Sequence, residues 1–221
     1  MIVPDAAGAR WRWLLADAAE PEVQRWLAAG PESVAAPGRG ETIKRTRTGW
    51  VQRLQVGSAG FFVKTYVYPT LRDRLRGVLR NTWLRPSRAA READALRWLR
   101  ARGFAAPRPV AVGEARRRGL LHAAVLVTEA VEGTPLDAAL PAMPADQRAA
   151  VLTRLRAFVS RLHEAGFRDR NLDLRNLLLC PGTDGPRFVK IDSPRFVLQR
   201  PGPARDRLAR ADWQRLGASL A

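Results

Sequence analysis

The chain has 221 residues and carries 38 Lys+Arg against 21 Asp+Glu, a formal net charge of +17. A hydrophobic fraction of 46% with 27% charged residues is a globular composition and excludes wholesale disorder. One cysteine, Cys180, and two histidines, His122 and His163, exclude an intrachain disulfide, a Cys-based zinc site and a His-rich metal site. In chain order, Arg10–Ala16 and Glu22–Ala29 read as short helices carrying Trp11, Trp13 and Trp26, and Gly30–Gly40, rich in Gly, Pro and Ala, reads as a linker. Glu41–Arg47, Val51–Val56 and Phe61–Val67 read as three strands of a meander, with turns at Thr48-Gly49 and Gly57–Gly60. Thr70–Arg80 is a short, very basic helical stretch. Ser87–Arg102 is a longer helix with Ser87 as its N-cap and Gly103 as its stop. Two more strands are expected at Pro109–Gly113 and Ala123–Ala130, around the basic turn Arg116–Gly119.

Asp146–Ala165 is the clearest helix. Val151, Leu152, Leu155, Phe158, Val159 and Leu162 recur on one face, and Gly166 stands at the C′ position. A polar loop, Phe167–Arg175, follows. Asn176–Cys180 and Arg187–Ile191 read as a small hairpin, and Ala204–Leu220 as a polar helix. No apolar run reaches the roughly 18 residues of a membrane span. Met1–Trp13 lacks a basic start followed by a long apolar core, which sets the expectation of a cytoplasmic chain. The positive surplus calls for an anionic partner: nucleic acid, a phosphorylated ligand or an acidic membrane surface.

Several residues stand out chemically. Of the 38 basic residues only Lys44, Lys64 and Lys190 are lysines. Lys64 shares its strand face with Phe62 and Tyr66, where an ammonium needs an anion or a route to solvent. Lysine is also the compact point charge suited to phosphates. Glu92 falls in the middle of the apolar arc formed by Ala89, Ala93, Ala95, Leu96 and Leu99, so its carboxylate calls for a partner. A tertiary Lys64–Glu92 pair is preferred here over a local Arg88–Glu92 pair. Asp192 ends the strand Phe188–Ile191, a placement shared by metal ligands and by turn initiators. The loop Arg168–Asn176 gathers Asp169, Asn171, Asp173 and Asn176, as turn residues or as catalytic ones.

Strand lysine, helix glutamate, strand and linker, long apolar helix, Asp/Asn loop, hairpin and Asp follow one another in the order of the protein-kinase-like fold. More narrowly, the chain resembles the lipopolysaccharide core (Kdo/heptose) kinase family. The resemblance runs through Val63–Tyr66, the basic stretch Tyr68–Arg88 into Arg91-Glu92, Pro107–Ala111, Leu126–Gly133, Leu162–Phe167 and Ile191-Asp192. It implies an α+β fold: a small N-lobe with an antiparallel sheet and one helix (residues 41–133 with the hinge), and a reduced helical C-lobe (134–221). Residues 1–40 are left as a helical lead-in and linker. It implies ATP and Mg²⁺ as cofactors. Lys64 would hold the α/β-phosphates and pair with Glu92. Asp192 and Asn176 would bind metal. Glu129 and Val131 would offer backbone hinge contacts to adenine, with Thr128 as gatekeeper.

Three departures bear on activity. The base position of the kinase loop is Asn171, and an amide does not take a proton as a carboxylate does. Asp169 or Asp173 then supplies the base, or the chain is a nucleotide-binding pseudokinase or a regulatory lipid- or anion-binding module. The phosphate loop Arg45–Gly49 has a single glycine. Only residues 193–221 follow Asp192, too few for a peptide-substrate platform. The resemblance implies phosphotransfer to a Kdo or heptose hydroxyl of the lipopolysaccharide inner core. The partner would be an anionic glycolipid or sugar acceptor, and Arg72–Arg91 would make peripheral contact with the anionic inner membrane. No helix-turn-helix, zinc-finger or RNA-recognition signature is present, so no specific nucleic acid is expected.

Overall fold

The computed structural model describes residues 8–68, 70, 86–182, 185–199 and 207–218. Residues 71–80 of the expected basic helix, and 72–85 of the basic stretch proposed to meet a membrane, lie outside the described residues. The chain divides into two compact units. One comprises residues 1–97 and 108–130, the other 98–107 and 131–221.

The first unit is built on a six-stranded antiparallel sheet in the order β1-β5-β6-β4-β3-β2. Its strands are β1 (Arg10–Ala16), β2 (Glu41–Thr46), β3 (Gly49–Val56), β4 (Ala59–Val67), β5 (Pro109–Arg117) and β6 (Leu120–Glu129). Side chains alternate across a strand, so each strand feeds two cores. Phe61 and Val63 of β4 and Val125 and Val127 of β6 pack with α1 (Pro21–Ala28) and α2 (Pro31–Ala35). Ala124 and Leu126, one residue out of phase, pack with Ala89 and Ala93 of α3 (Arg88–Ala101), and Tyr66 joins them from β4. Because both faces are covered, Leu121–Thr128 is buried throughout and shows no polar alternation. The small residues Ala89 and Ala93 let α3 lie close to the sheet.

Two expectations for the first forty residues are corrected. Arg10–Ala16 is a strand, not a helix. Trp11, Trp13 and Leu15 are partly buried while Arg10, Arg12 and Leu14 are exposed, a period of two, and the strand pairs antiparallel with β5. The stretch 30–40 is more than a linker. Pro31 opens α2, and Val34 and Ala35 are buried. Buried Gln52 ties this stretch to the sheet, donating to the Ala36 carbonyl at 3.0 Å and accepting from the Arg39 N–H at 3.1 Å. Five helical residues are too short for periodicity to reveal.

Helix α3 begins as expected: Ser87 Oγ accepts from the Ala90 N–H at 3.1 Å. A second fastening was not expected. Buried Glu114 of β5 accepts from the Ser87 N–H at 3.0 Å and from Arg116 Nε at 2.7 Å. Burial pushes the Glu114 carboxyl up. The hydrogen bonds from Arg116 and Ser87 outweigh that and hold it below its ordinary value of 4.5.

The second unit centres on α5 (Ala145–Glu164), whose Val151, Leu155, Val159 and Leu162 are buried. Gly166 sits at C′ with φ +89, and a Cβ there would run into the Gln199 carbonyl. Around α5 stand α4 (Leu136–Ala139), α6 (Arg207–Ala218), the three-stranded sheet β10-β9-β7 and the pair β11-β8. These strands are β7 (Thr134–Pro135), β8 (Phe167–Asp169), β9 (Leu177–Cys180), β10 (Arg187–Lys190) and β11 (Phe196–Leu198). The start of the expected polar loop is therefore a strand, β8. Leu172, Leu174, Leu177, Phe188 and Leu216 complete the core with α5.

Glu114 supports a pH prediction. Its depressed folded pKa means that its stabilisation is complete above about 4.5 and is lost as pH falls through the folded value. In urea unfolding between pH 7 and 3, Glu114→Gln should lose less stability than the wild type. At pH 7, Glu114→Ala should cost about 3 kcal/mol by leaving the Arg116 charge and the Ser87 N–H without their partner. Identical pH profiles for wild type and Glu114→Gln would remove Glu114 as the anchor.

Candidate active site

Strand β4 lies between β6 and β3, so Lys64 is on an interior strand. Its face looks onto α3. Lys64 Nζ reaches Glu92 Oε1 at 2.5 Å, with the lysine side chain 19% and the glutamate 2% exposed. Tyr66 Oη donates to the other oxygen, Glu92 Oε2, at 3.0 Å. The local alternative is not taken: the Arg88 guanidinium lies 5.1 Å from the Tyr66 ring centroid. A buried carboxylate on an apolar stripe has thus found its cation across the fold.

The same unit holds Thr128 and Glu129 at the end of β6. Thr128 is buried. The Glu129 carboxylate takes Arg108 Nε at 2.8 Å, and its N–H donates to the Arg108 carbonyl at 3.0 Å. The turn from β2 to β3 is tight, closed by Thr46 Oγ1 donating to the Gly49 carbonyl at 3.0 Å. It forms no glycine-rich cradle; the basic residues beside it are Arg45 and Arg47.

The second unit brings Asn171, Asn176 and Asp192 together. Asn171 Nδ2 donates to the Asp192 carbonyl at 2.8 Å and to Asp192 Oδ2 at 2.6 Å. Asn176 Nδ2 donates to the Asn171 carbonyl at 2.9 Å, and the Ile191 N–H to the Asn176 carbonyl at 3.0 Å. Asp192 has φ +55, a left-handed backbone that is uncommon for a non-glycine residue and that aspartate tolerates better than most. Among the described residues Asn176 Oδ1 makes no hydrogen bond. A carboxylate and an amide oxygen are hard donors of the kind that suit Mg²⁺, which takes few protein ligands and completes its shell with phosphate oxygens and water. No group of three His, Cys, Asp or Glu that could hold a metal ion gathers among the described residues. Val131 packs against the cluster of Leu178, Cys180 and Val189, and among the described residues its N–H has no partner.

The two base candidates are placed very differently. Asp169 is buried, and both its oxygens are engaged. Oδ1 accepts from the Asn171 N–H at 3.0 Å. Oδ2 accepts from Ser193 Oγ at 2.9 Å and pairs with Lys190 Nζ at 2.9 Å. Asp173 keeps 24% of its side chain exposed and is held by Arg175, through the N–H at 3.1 Å and Nη2 at 2.8 Å.

Lys190 and Asp212 are the residues the sequence reading missed. Lys190 is fully buried. Its signal was present: it is one of three lysines in an arginine-rich chain, two positions before Asp192. Asp212 of α6 accepts from the Asp169 N–H at 3.1 Å and meets His163 Nε2 at 3.2 Å. Its signal was a carboxylate on the stripe of Leu216, one turn away.

The family described as lipopolysaccharide kinase (Kdo/WaaP) matches residues 39–220. No curated protein matches. Among solved structures, WaaP in complex with acyl carrier protein is similar with TM-score 0.66 and 23% identity, over 94% of this chain and 80% of that one. Rio2 kinase from Chaetomium thermophilum, in an ADP/Mg²⁺-phosphoaspartate complex, is similar with TM-score 0.56 and 18% identity, over 80% of this chain and 53% of that one. The fold is protein-kinase-like, α+β.

The Asp169–Lys190 pair predicts a stability pattern. Lys190→Met should cost about 3–5 kcal/mol in chemical denaturation, because it strands a buried carboxylate. Asp169→Asn added to Lys190→Met should recover at least half of that. A single variant as stable as the wild type would show that the pair contributes nothing.

Proposed function

The chain belongs to the lipopolysaccharide kinase (Kdo/WaaP) family, and from that premise we propose that it transfers the γ-phosphoryl group of ATP to a Kdo or heptose hydroxyl of the lipopolysaccharide inner core. The observation that carries the reading is the Asn171–Asn176–Asp192 cluster, with Asp192 held in a left-handed conformation and the Asn176 amide oxygen uncommitted among the described residues. Bound through Asp192 and Asn176, Mg²⁺ would neutralise charge on the transferring phosphoryl oxygens. Lys64, oriented by Glu92, holds the nucleotide phosphates. The Glu129 carbonyl and the Val131 N–H meet the adenine edge.

Asp173 is the base in this proposal. Asp169 is spent on Lys190, Ser193 and the Asn171 N–H, and Asn171 has no basic oxygen to offer. The acceptor hydroxyl gives its proton to the Asp173 carboxylate. Its oxygen forms the new bond to the γ-phosphorus, and the bond from that phosphorus to the β-bridging oxygen breaks to release ADP. Asn171 works by orienting Asp192. The net charge of +17 supports an anionic glycolipid acceptor met at the cytoplasmic face of the inner membrane, with the protein peripheral. The amide at position 171 favours one second reading, a nucleotide-binding member without transfer.

Two measurements separate these readings. Saturating Mg-ATP, at about 100 times its dissociation constant, should stabilise the wild type by about 2.7 kcal/mol. The gain should need Mg²⁺ and shrink in Lys64→Ala. Asp192→Ala should abolish transfer to a lipopolysaccharide core acceptor, and Asp173→Asn should lower kcat about 10²–10⁴-fold. Stabilisation by Mg-ATP without any transfer by the wild type would establish the second reading.

A further inference from the structure

Lys64 Nζ meets one oxygen of Glu92, Oε1, and Tyr66 Oη donates to the other, Oε2. Tyr66 stands two residues after Lys64 on the same face of β4, so both address one carboxylate from one strand. They differ in stiffness. A lysine is a point charge on a flexible stem, and the terminal torsion of a glutamate is broad, so an ammonium alone leaves the carboxylate plane free to turn. The Tyr66 ring is fixed. It packs against the cluster of Ala89, Ala93, Ala124 and Leu126, and Arg88 covers its face at 5.1 Å. Its hydroxyl is therefore a rigid second point of attachment, and Glu114 holds the start of the helix that brings Glu92 to it.

We propose that Tyr66 is a positioning residue: it fixes the plane of the Glu92 carboxylate and thereby the direction in which Lys64 presents its ammonium. The proposal rests on Lys64 being the phosphate-holding residue. Tyr66 touches no reacting atom and acts through Glu92.

Tyr66→Phe keeps the ring and removes the hydroxyl. The test is trace labelling of amines in the full-length protein with acetic anhydride, read by mass spectrometry. The three lysines serve as reporter and controls, because Lys44 is exposed and Lys190 is buried in the other unit. Lys64 should be labelled at least about three-fold faster in Tyr66→Phe, with Lys44 and Lys190 unchanged. In a Glu92→Gln background, Tyr66→Phe should add nothing. In the transfer assay, kcat should fall roughly five-fold, the worth of one net hydrogen bond, with KM for ATP within two-fold. Unchanged Lys64 labelling overturns the proposal, and so does equal acceleration at Lys64 and Lys190, which would mean a loosened fold. Labelling decides the role of Tyr66 even if the wild type transfers no phosphate, an outcome that would sink the phosphotransfer reading alone.

Discussion

A carboxylate taken out of water must meet a cation or a set of donors, and in this chain Glu92 is the case on which the first unit turns. It sits on the dry side of α3, among alanines that bring the helix close to the sheet. Lys64 and Tyr66 answer it from β4, so strand and helix are joined at a single carboxylate. The helix end is fastened separately, where Glu114 receives the Ser87 N–H and Arg116. These two acidic residues set where α3 lies and what its buried face presents.

The same constraint organises the second unit with different residues. Asp169 is satisfied by Lys190, Ser193 and the Asn171 backbone, and Asp212 in turn receives the Asp169 N–H and His163. Buried charges brace the loop at Asp169. Asn171 spends its amide on Asp192, Asn176 spends its own on the Asn171 carbonyl, and Asp173 stays partly exposed. A neutral amide at position 171 is intelligible here. A carboxylate at the Asn171 position would face the Asp192 oxygen that now lies 2.6 Å from a donor.

Lysine usage follows the same physics. Arginine supplies nearly all of the basic residues in this chain, yet lysine is retained in the Lys64–Glu92 and Lys190–Asp169 pairs, while Arg116 serves buried Glu114. A compact ammonium on a slim stem fits a packed interior and leaves fewer donors to satisfy than a guanidinium does. At Lys64 this was legible, because the strand alternation put the lysine on an apolar face and the helical wheel put Glu92 on another. At Lys190 it was not. The partner, Asp169, lies in a loop with no periodic pattern, and nothing local marks its side chain as buried.

By itself the sequence determined the meander, the long helices, their caps and the Lys64–Glu92 pairing. Each of those rests on alternation, helical period or a short cap pattern, signals that live within a few residues. It also carried the ordered motifs by which the family is recognised. Tertiary structure alone decided that Arg10–Ala16 is an edge strand, that α2 is folded onto the sheet through Gln52, that Asp169 is structural in its contacts while Asp173 stays accessible, and that Asn171 clamps Asp192. Those outcomes depend on partners far along the chain. Whether a polar side chain is buried is settled by what packs over it, and no local pattern records that.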